Sequence, residues 1–315
     1  MQFRTQIPVS RIDNLINYHS KIVSLGSCFA INMAQKFDYF KFSAASNPFG
    51  ILFHPVALEN FIRFSLEEKE FNEAGVFFHN DLWHCFDAHS ELSHPDKEIL
   101  LHNLNALLFQ TRQNIKKASH IIITLGTAWV YRNLNTNNLV ANCHKLPQKQ
   151  FSKELLSIQK ITESLNTILS LLESHNPDVT IIFTISPVRH IKDGFIENQR
   201  SKAHLTAALH DIVENNKNHY YFPSYEIVMD ELRDYRFYKE DMLHPNQTAI
   251  DYIWQRFSEA CITTETQAIM REVDTIQKGL NHRPFNPESP KHLDFLSKLQ
   301  EKISELQKLY PEIIF

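Results

Sequence analysis

Two short segments that lie far apart in the chain carry side chains suited to nucleophilic catalysis. The first is Gly26-Ser27-Cys28, which follows an apolar run and presents a hydroxyl and a thiol. In the second, Asp241 precedes His244 by three residues. A carboxylate at that spacing can orient an imidazole and stabilise its protonated form. Together the segments predict a nucleophile, Cys28 or Ser27, with His244 as its base and Asp241 as the residue that orients the base.

The turn at Gly26 determines how reactive the nucleophile is. Glycine allows a sharp turn at the end of a strand, and the amides that follow lie at a helix N-terminus. Such a position lowers the pKa of a thiol or hydroxyl and supplies donors to an oxyanion. A Gly-Ser-Cys triplet is also an ordinary strand-to-helix turn, and in a chain with 17 histidines His244 could simply be a surface residue. The two motifs therefore carry more weight together than either carries alone.

A second apolar run ends in the same manner, at Thr124-Leu125-Gly126-Thr127. Ligands of open parallel sheets bind outside the carboxyl ends of the strands, so this end is expected beside the first one. The amide of Gly126 could then face a substrate carbonyl oxygen.

The elements that must position these residues alternate along the chain. Strands are predicted at short β-branched or aromatic runs, residues 21–25, 119–125, 180–186 and 219–222. Helices are predicted where apolar residues recur at helical spacing, at residues 99–118, 155–172 and about 198–215. The alternation predicts an α/β fold with a mostly parallel sheet covered by helices. Residues 47–95 break the pattern, and we expect a helix plus an irregular or hairpin insertion near the strand ends.

The chain divides by pattern into residues 1–260 and residues 261–315. The second part has helical spacing at 263–280 and 291–309, separated by a proline-rich loop. We expect a C-terminal helical extension that packs on the main domain.

Composition excludes several classes of function. The formal charge of −4 and a pI near 6.5 leave no basic surface for nucleic acid. The four cysteines form no CxxC, and the histidine-rich residues 77–90 match no zinc signature, so neither a metal nor another cofactor is expected. No signal peptide and no membrane span are recognisable, which predicts a cytoplasmic location.

Specific motifs identify a resemblance to a known family. The chain resembles the GSCFA family, a branch similar to the SGNH/GDSL hydrolases, over roughly residues 20–260. The matching stretches are Gly26-Ser27-Cys28-Phe29-Ala30, Asn47-Pro48-Phe49-Gly50, Gly126-Thr127-Ala128-Trp129, Ser186-Pro187-Val188-Arg189-His190, Tyr221-Phe222-Pro223-Ser224 and Asp241-Met242-Leu243-His244-Pro245.

The SGNH resemblance implies a three-layer α/β/α sandwich of flavodoxin type. It also implies ester hydrolysis or acyl transfer through a covalent acyl-enzyme, on an acylated small molecule or carbohydrate. The wider group reads Gly-Asp-Ser where this chain reads Gly26-Ser27-Cys28, which places Cys28 at the nucleophile position and Ser27 at that of the aspartate. A cysteine favours acyl transfer or thioester chemistry. Ser27 remains the alternative nucleophile if the turn is shifted by one residue.

The resemblance also implies donors to an oxyanion. Gly50 corresponds to the glycine of the second conserved block, and Gly126 to that of the third. The asparagine of the third block is missing, and Asn142 and His144 are candidates to replace it. Beyond these two blocks, Arg189 and His190 follow a predicted strand where a substrate anion could dock, or where they could equally form a structural ion pair with Asp193.

Two other functions compete with an acyl hydrolase. The chain could be a non-catalytic binding or scaffold protein that keeps the fold, which the missing asparagine favours. It could also be a thiol-dependent redox or metal-binding protein that uses Cys28, Cys85, Cys143 and the histidines. The combination of Gly50, Gly126 and the Asp241/His244 pair favours the acyl hydrolase.

Overall fold

The computed structural model describes residues 4–214 and 218–315. Asn215, at the end of one predicted helix, lies outside the described residues. The strands are β1 (Lys21–Gly26), β2 (Ser43–Ser46), β3 (Phe77–His79), β4 (Leu82–His84), β5 (His120–Leu125), β6 (Trp129–Asn133), β7 (Leu139–Val140), β8 (Phe151–Leu155), β9 (Thr180–Ile185) and β10 (His219–Phe222). The helices are α1 (Cys28–Tyr39), α2 (Pro55–Leu66), α3 (Lys97–Lys117), α4 (Ile158–His175), α5 (Phe195–Val213), the single turn α6 (Ser224–Glu226), α7 (Gln247–Cys261), α8 (Thr264–Leu280) and α9 (Pro290–Leu309).

The central sheet is parallel and has five strands in the order β10-β9-β5-β1-β2. Numbered along the chain within this sheet, the order is 2-1-3-4-5, which is that of flavodoxin-like folds. The strand order reverses between β1 and β5, and ligands of such sheets bind at that point. The α/β prediction is confirmed, with every predicted strand within about a residue of its place. The edge strand β2 was not predicted, because its sequence Ser-Ala-Ala-Ser lacks β-branched side chains.

Helices cover both faces of the sheet, which makes the three-layer sandwich. Successive side chains of a strand point to opposite faces. Accordingly, Ile121 and Ile123 pack in one hydrophobic cluster with α2, α3, α4 and α5, whereas Ile122 packs in a second cluster with α1, α7, α8 and α9. Burial on both faces explains why the strands read as continuous apolar runs.

The crossover from β5 to β9 differs in detail from the sequence prediction. The predicted helix at residues 155–172 begins only at Ile158, because Leu155 pairs with Trp129 in a small antiparallel sheet of order β7-β6-β8. Ser157 caps the helix by accepting a hydrogen bond from the amide of Lys160. This second sheet was not predicted. Residues 47–95 contain α2 and the β3–β4 hairpin, which matches the expected helix and hairpin.

The C-terminal helices pack against α1. Met270 and Ile303 belong to the same hydrophobic cluster as Phe37 of α1. The hydroxyl of Tyr39 donates a hydrogen bond of 2.8 Å to Asp274 in α8. Across the described part of the chain, no helix combines the length and apolar character needed to cross a membrane.

Candidate active site

The turn between β1 and α1 requires glycine at position 26. Gly26 has φ +131°, and a Cβ atom there would lie far inside van der Waals contact with the carbonyl oxygen of Thr124 in β5. The side chain of Asn47, at the end of β2, accepts a hydrogen bond of 2.7 Å from the Gly26 amide. Three neighbouring strands therefore define the conformation of this turn.

Ser27 and Cys28 occupy different environments. Ser27 is the residue before α1, and its amide donates to the Thr124 carbonyl at 3.0 Å. Its hydroxyl is fully buried and has no hydrogen-bond partner among the described residues. Cys28 is the first residue of α1 and is partly exposed. Of the two candidate nucleophiles, only the thiol of Cys28 reaches the imidazole that the second motif supplies.

Cys28, His244 and Asp241 lie together although 216 residues separate the thiol from the imidazole. The Sγ atom of Cys28 is 3.9 Å from Nε2 of His244. Nδ1 of His244 is 2.6 Å from Oδ2 of Asp241. A nucleophile in reach of a base that is itself oriented by a carboxylate is the arrangement of covalent acyl-transfer enzymes.

The charge state of Asp241 determines the tautomer of His244. Its other oxygen, Oδ1, accepts hydrogen bonds from the amides of His244 and Leu243, at 2.9 and 2.8 Å. These two amides, and then the imidazole, lower the pKa of Asp241 to about 2. The carboxylate is therefore ionised at neutral pH and can only accept, so Nδ1 of His244 carries the proton. Nε2 is then free to accept the proton of the Cys28 thiol.

Arg189 holds the loop that carries these two residues. Its guanidinium donates to the carbonyl oxygen of Met242, and its charge lies over the rings of Tyr238 and Tyr235, at 4.6 and 5.4 Å from their centroids. An ion pair of Arg189 with Asp193 does not form, because Asp193 pairs with Lys153. Arg189 thus contacts the backbone between Asp241 and His244, and its Nε atom is buried without a partner among the described residues.

Two opposing effects act on the Cys28 thiol. Burial raises the pKa of Cys28 above its ordinary value. The charge of Lys202, the amides of Cys28 and Phe29, and the charge of Lys239 lower it in part. The resting group is therefore a thiol at neutral pH, and its reaction requires that a base remove the proton.

The two glycines predicted as oxyanion donors use their amides elsewhere. The Gly50 amide donates to the Asn47 carbonyl at 2.8 Å, within a tight turn. The Gly126 amide donates to the Phe53 carbonyl at 2.9 Å, and the Thr127 amide donates to the same oxygen at 3.0 Å. Gly126 nevertheless lies directly beside the turn that carries Cys28, because a Cβ atom on it would be 3.0 Å from that of Ser27.

Asn142 and His144 lie beside the β3–β4 hairpin. Oδ1 of Asn142 accepts from the His144 amide at 2.8 Å. The His144 ring is buried, 2.7 Å from the Cys85 carbonyl and 3.1 Å from the hydroxyl of Ser90, and burial lowers its pKa to about 4. His144 therefore holds loops together, whereas Asn142 lines a cavity.

That cavity has a volume of about 660 Å³. Phe53 and Thr127, the contact and the neighbour of Gly126, line it, whereas Cys28, Asp241 and His244 do not. Its wall includes His190, whose Nε2 atom is buried without a partner among the described residues. Burial, and then the charges that Lys202 and His244 carry when protonated, lower the pKa of His190 to about 4, so this ring lies close to both side chains. The other walls are mainly apolar and aromatic, and include Phe53, Trp129, Val130, Tyr131, Ala141, Leu146 and Phe151. A different groove, of about 720 Å³ between α1, α7 and α8, contains none of the site residues.

Lys202 of α5 lies beside the candidate site and was not predicted from the sequence. It is 1% exposed, and its ammonium donates hydrogen bonds of 2.7 Å to the carbonyl oxygens of Gly126 and Ser186. These carbonyls follow the carboxyl ends of β5 and β9. The only sequence signal is a lysine at a position where the helical periodicity of α5 calls for an inward residue.

Models of known protein families agree with these motifs. The model of the GSCFA family matches residues 21–257, and that of the GSCFA domain protein C-terminal domain matches residues 273–315. Among solved structures, the chain is similar to an acetyl xylan esterase from the rumen bacterium Butyrivibrio proteoclasticus, with 14% identity and a TM-score of 0.24. That match covers 52% of this chain and 37% of the esterase, and no curated protein sequence matches the chain. Because the family model covers the whole sheet and every residue of the Cys28, His244 and Asp241 site, this chain belongs to the GSCFA family.

Proposed function

We propose that this protein is a cysteine-dependent acyl hydrolase or acyltransferase. The observation that carries the proposal is the placement of the Cys28 thiol 3.9 Å from an imidazole whose other nitrogen is bound by an ionised carboxylate. The site lies at the carboxyl ends of β1 and β5, where the strand order reverses.

The reaction begins with attack by the thiol on the carbonyl carbon of an acyl ester or thioester. As the S–C bond forms, the Cys28 proton moves to Nε2 of His244, and Asp241 stabilises the resulting imidazolium. When the bond to the leaving group breaks, His244 gives that proton to the leaving oxygen or sulfur. Water, or the hydroxyl of an acceptor, then attacks the thioester while His244 takes its proton. Release of the acyl product returns the proton to Cys28.

The oxyanion of each tetrahedral intermediate needs hydrogen-bond donors. We assign the first to the amide of Cys28, which lies in the first turn of α1, where helix amides have no partner within the helix. The positive end of the helix dipole favours the same charge. The amides of Gly50 and Gly126 are excluded from this role as long as they keep their bonds to Asn47 and Phe53.

The cavity beside the site indicates the substrate. Its aromatic walls suit an acyl chain or a sugar ring. Lys145 and Lys192 also line it. The supported substrate class is therefore an acylated small molecule or carbohydrate with a group larger than acetyl.

The direct test is to trap the acyl-enzyme. We expect exposure to p-nitrophenyl acetate, followed by rapid acid quench and peptide mapping by mass spectrometry, to locate an acetyl group on Cys28. The same adduct should be weak in His244→Ala. Acetylation of Ser27 instead would move the nucleophile to the hydroxyl, and the absence of any adduct on either residue would contradict an acyl-enzyme.

Filling the cavity should change the substrate preference. We expect Ala141→Trp to lower kcat/KM for a p-nitrophenyl hexanoate by about tenfold or more, because the indole occupies space that a longer chain needs. The acetate should lose less than about threefold, since its acyl group is too small to need that space. Ala203→Trp, which is exposed on α5, is the matched control. An equal loss of kcat/KM for the hexanoate and the acetate would mean that the acyl group does not bind in this cavity.

A further inference from the structure

Lys202 is an ionisable side chain in a place where water cannot solvate its charge. It is 1% exposed and lies under the site, between the ends of β5 and β9. A buried charge is costly unless hydrogen bonds and an opposite charge compensate it. Two of its three N–H donors bond carbonyl oxygens at 2.7 Å. Carbonyl groups satisfy donors, but they carry no net charge.

No carboxylate among the described residues forms a salt bridge with Lys202. Its other neighbour is the ring of Tyr225, whose centroid is 5.6 Å from Nζ. Burial lowers the pKa of Lys202 to about 7, and the charge that acts in the opposite direction is that of the Cys28 thiolate. Reciprocally, Lys202 is the largest of the effects that lower the pKa of Cys28.

The contacts connect the two groups through a short path. Nζ of Lys202 binds the Gly126 carbonyl, and Gly126 packs against the Cβ atom of Ser27, the residue next to Cys28. The titratable groups that face Cys28 are thus Lys202 from α5 and, from the loop before α7, Lys239 and His244. His190, which faces Lys202 and His244, is neutral above pH about 4.

We propose that Lys202 is the buried cation that stabilises the Cys28 thiolate. This inference rests on the proposed function, in which Cys28 must lose its proton to react. Lys202 is a positioning residue, because it acts through its charge on the nucleophile and does not touch the substrate. It offsets part of the cost of forming an anion at a buried thiol, a cost that the dipole of α1 meets only in part. Proton transfer from Cys28 to His244 is then more favourable, and the protonated His244 can give its proton to the leaving group.

The test measures how fast Cys28 is alkylated by iodoacetamide as a function of pH, with the site identified by peptide mass. The rate follows the thiolate fraction. We expect Lys202→Met and Lys202→Gln to slow alkylation by about tenfold at about pH 6, where Lys202 carries its charge, and to leave the rate unchanged at about pH 9, where Lys202 is neutral. Gln retains N–H donors for the two carbonyls but carries no charge.

The matched control is Ser201→Ala on the same helix. Its hydroxyl bonds the Ala128 amide at 2.7 Å and the Thr127 hydroxyl at 3.0 Å, so the variant loses buried hydrogen bonds without a change of charge. Its profile should be that of the wild type. Circular dichroism and thermal unfolding select the variants that fold. If the pH dependence of alkylation is unchanged in a folded Lys202 variant, the inference is wrong and Lys202 only connects the ends of β5 and β9.

A second measurement keeps Lys202 in place, in case neither variant folds. In a His244→Ala/Lys239→Gln protein, the ratio of alkylation rates by anionic iodoacetate and neutral iodoacetamide reports the remaining positive charge near Cys28. We expect this ratio to fall between about pH 6 and about pH 9 as Lys202 loses its proton. A constant ratio would overturn the inference.

Alkylation needs no acyl substrate, so the two proposals can fail separately. If Cys28 forms no acyl adduct while its alkylation depends on Lys202, the acyl-transfer function is wrong and the charge pair stands. If the acyl adduct forms and the pH dependence of alkylation is the same in the Lys202 variants, only the inferred effect of Lys202 on Cys28 is wrong.

Discussion

Replacing Cys28 by alanine is expected to lower the kcat/KM for p-nitrophenyl esters by at least about 10³-fold, to the residual rate that the site supports without a nucleophile. The thiol is the one candidate nucleophile in reach of His244, at 3.9 Å. Cys28→Ser should lose nearly as much, because a hydroxyl is harder to deprotonate than a thiol at the same position.

Ser27→Ala is the matched comparison. The Ser27 hydroxyl is fully buried and has no partner among the described residues, so its removal should change kcat/KM by less than about threefold. The two residues are distinguished by initial rates with p-nitrophenyl acetate and p-nitrophenyl hexanoate. Circular dichroism checks that each variant is folded. A loss in Ser27→Ala that matches the loss in Cys28→Ala would mean that the two neighbouring residues act together or that the hydroxyl is the nucleophile.

The second large effect is expected at the base and at the carboxylate that orients it. His244→Ala should lower kcat/KM by about 10²-fold to 10⁴-fold, since burial raises the pKa of Cys28 and the thiol then has no acceptor for its proton. Asp241→Asn should lose about tenfold to 10³-fold, because the amide neither fixes the proton on Nδ1 nor stabilises the imidazolium.

Asp241 itself should not contribute to the pH dependence of the rate. Because the pKa of Asp241 is about 2, its carboxylate stays ionised throughout the pH range of an assay above about pH 4, and it adds no acid limb to the rate profile. The acid limb of the wild type therefore belongs to other groups of the site. His102→Ala, exposed on α3, controls for the loss of a histidine. Full activity of His244→Ala at neutral pH would remove His244 from the mechanism.

Local sequence patterns were enough to predict most of the sheet. Each central strand is buried on both faces and therefore reads as a short apolar run, which has a clear signature. The exceptions follow from the same principle. β2 is an edge strand of small residues, and Leu155 reads as the start of a helix because its position in β8 depends on pairing with Trp129.

The chemistry could be predicted where it is local. Gly26-Ser27-Cys28 is a strand-to-helix turn, and Asp241 binds the imidazole and amide of His244 within a single loop. Both motifs can therefore be recognised from short stretches of sequence. Family resemblance then related the two motifs to one another. Hydrogen-bond use is different: whether the amides of Gly50 and Gly126 are free depends on where Asn47 and Phe53 place their carbonyl groups.

By itself, the sequence determined the α/β class, the parallel core, the family and the residue types of a candidate nucleophile, base and orienting carboxylate. Only the tertiary structure decided that Cys28 and not Ser27 reaches His244, that Arg189 binds the loop backbone, and that Lys202 lies buried beneath the site. The physical reason is that periodicity and turn chemistry act over a few residues. The burial and charge partners of a side chain, in contrast, come from strands and helices that are distant in sequence, and a lysine is ordinarily a surface residue.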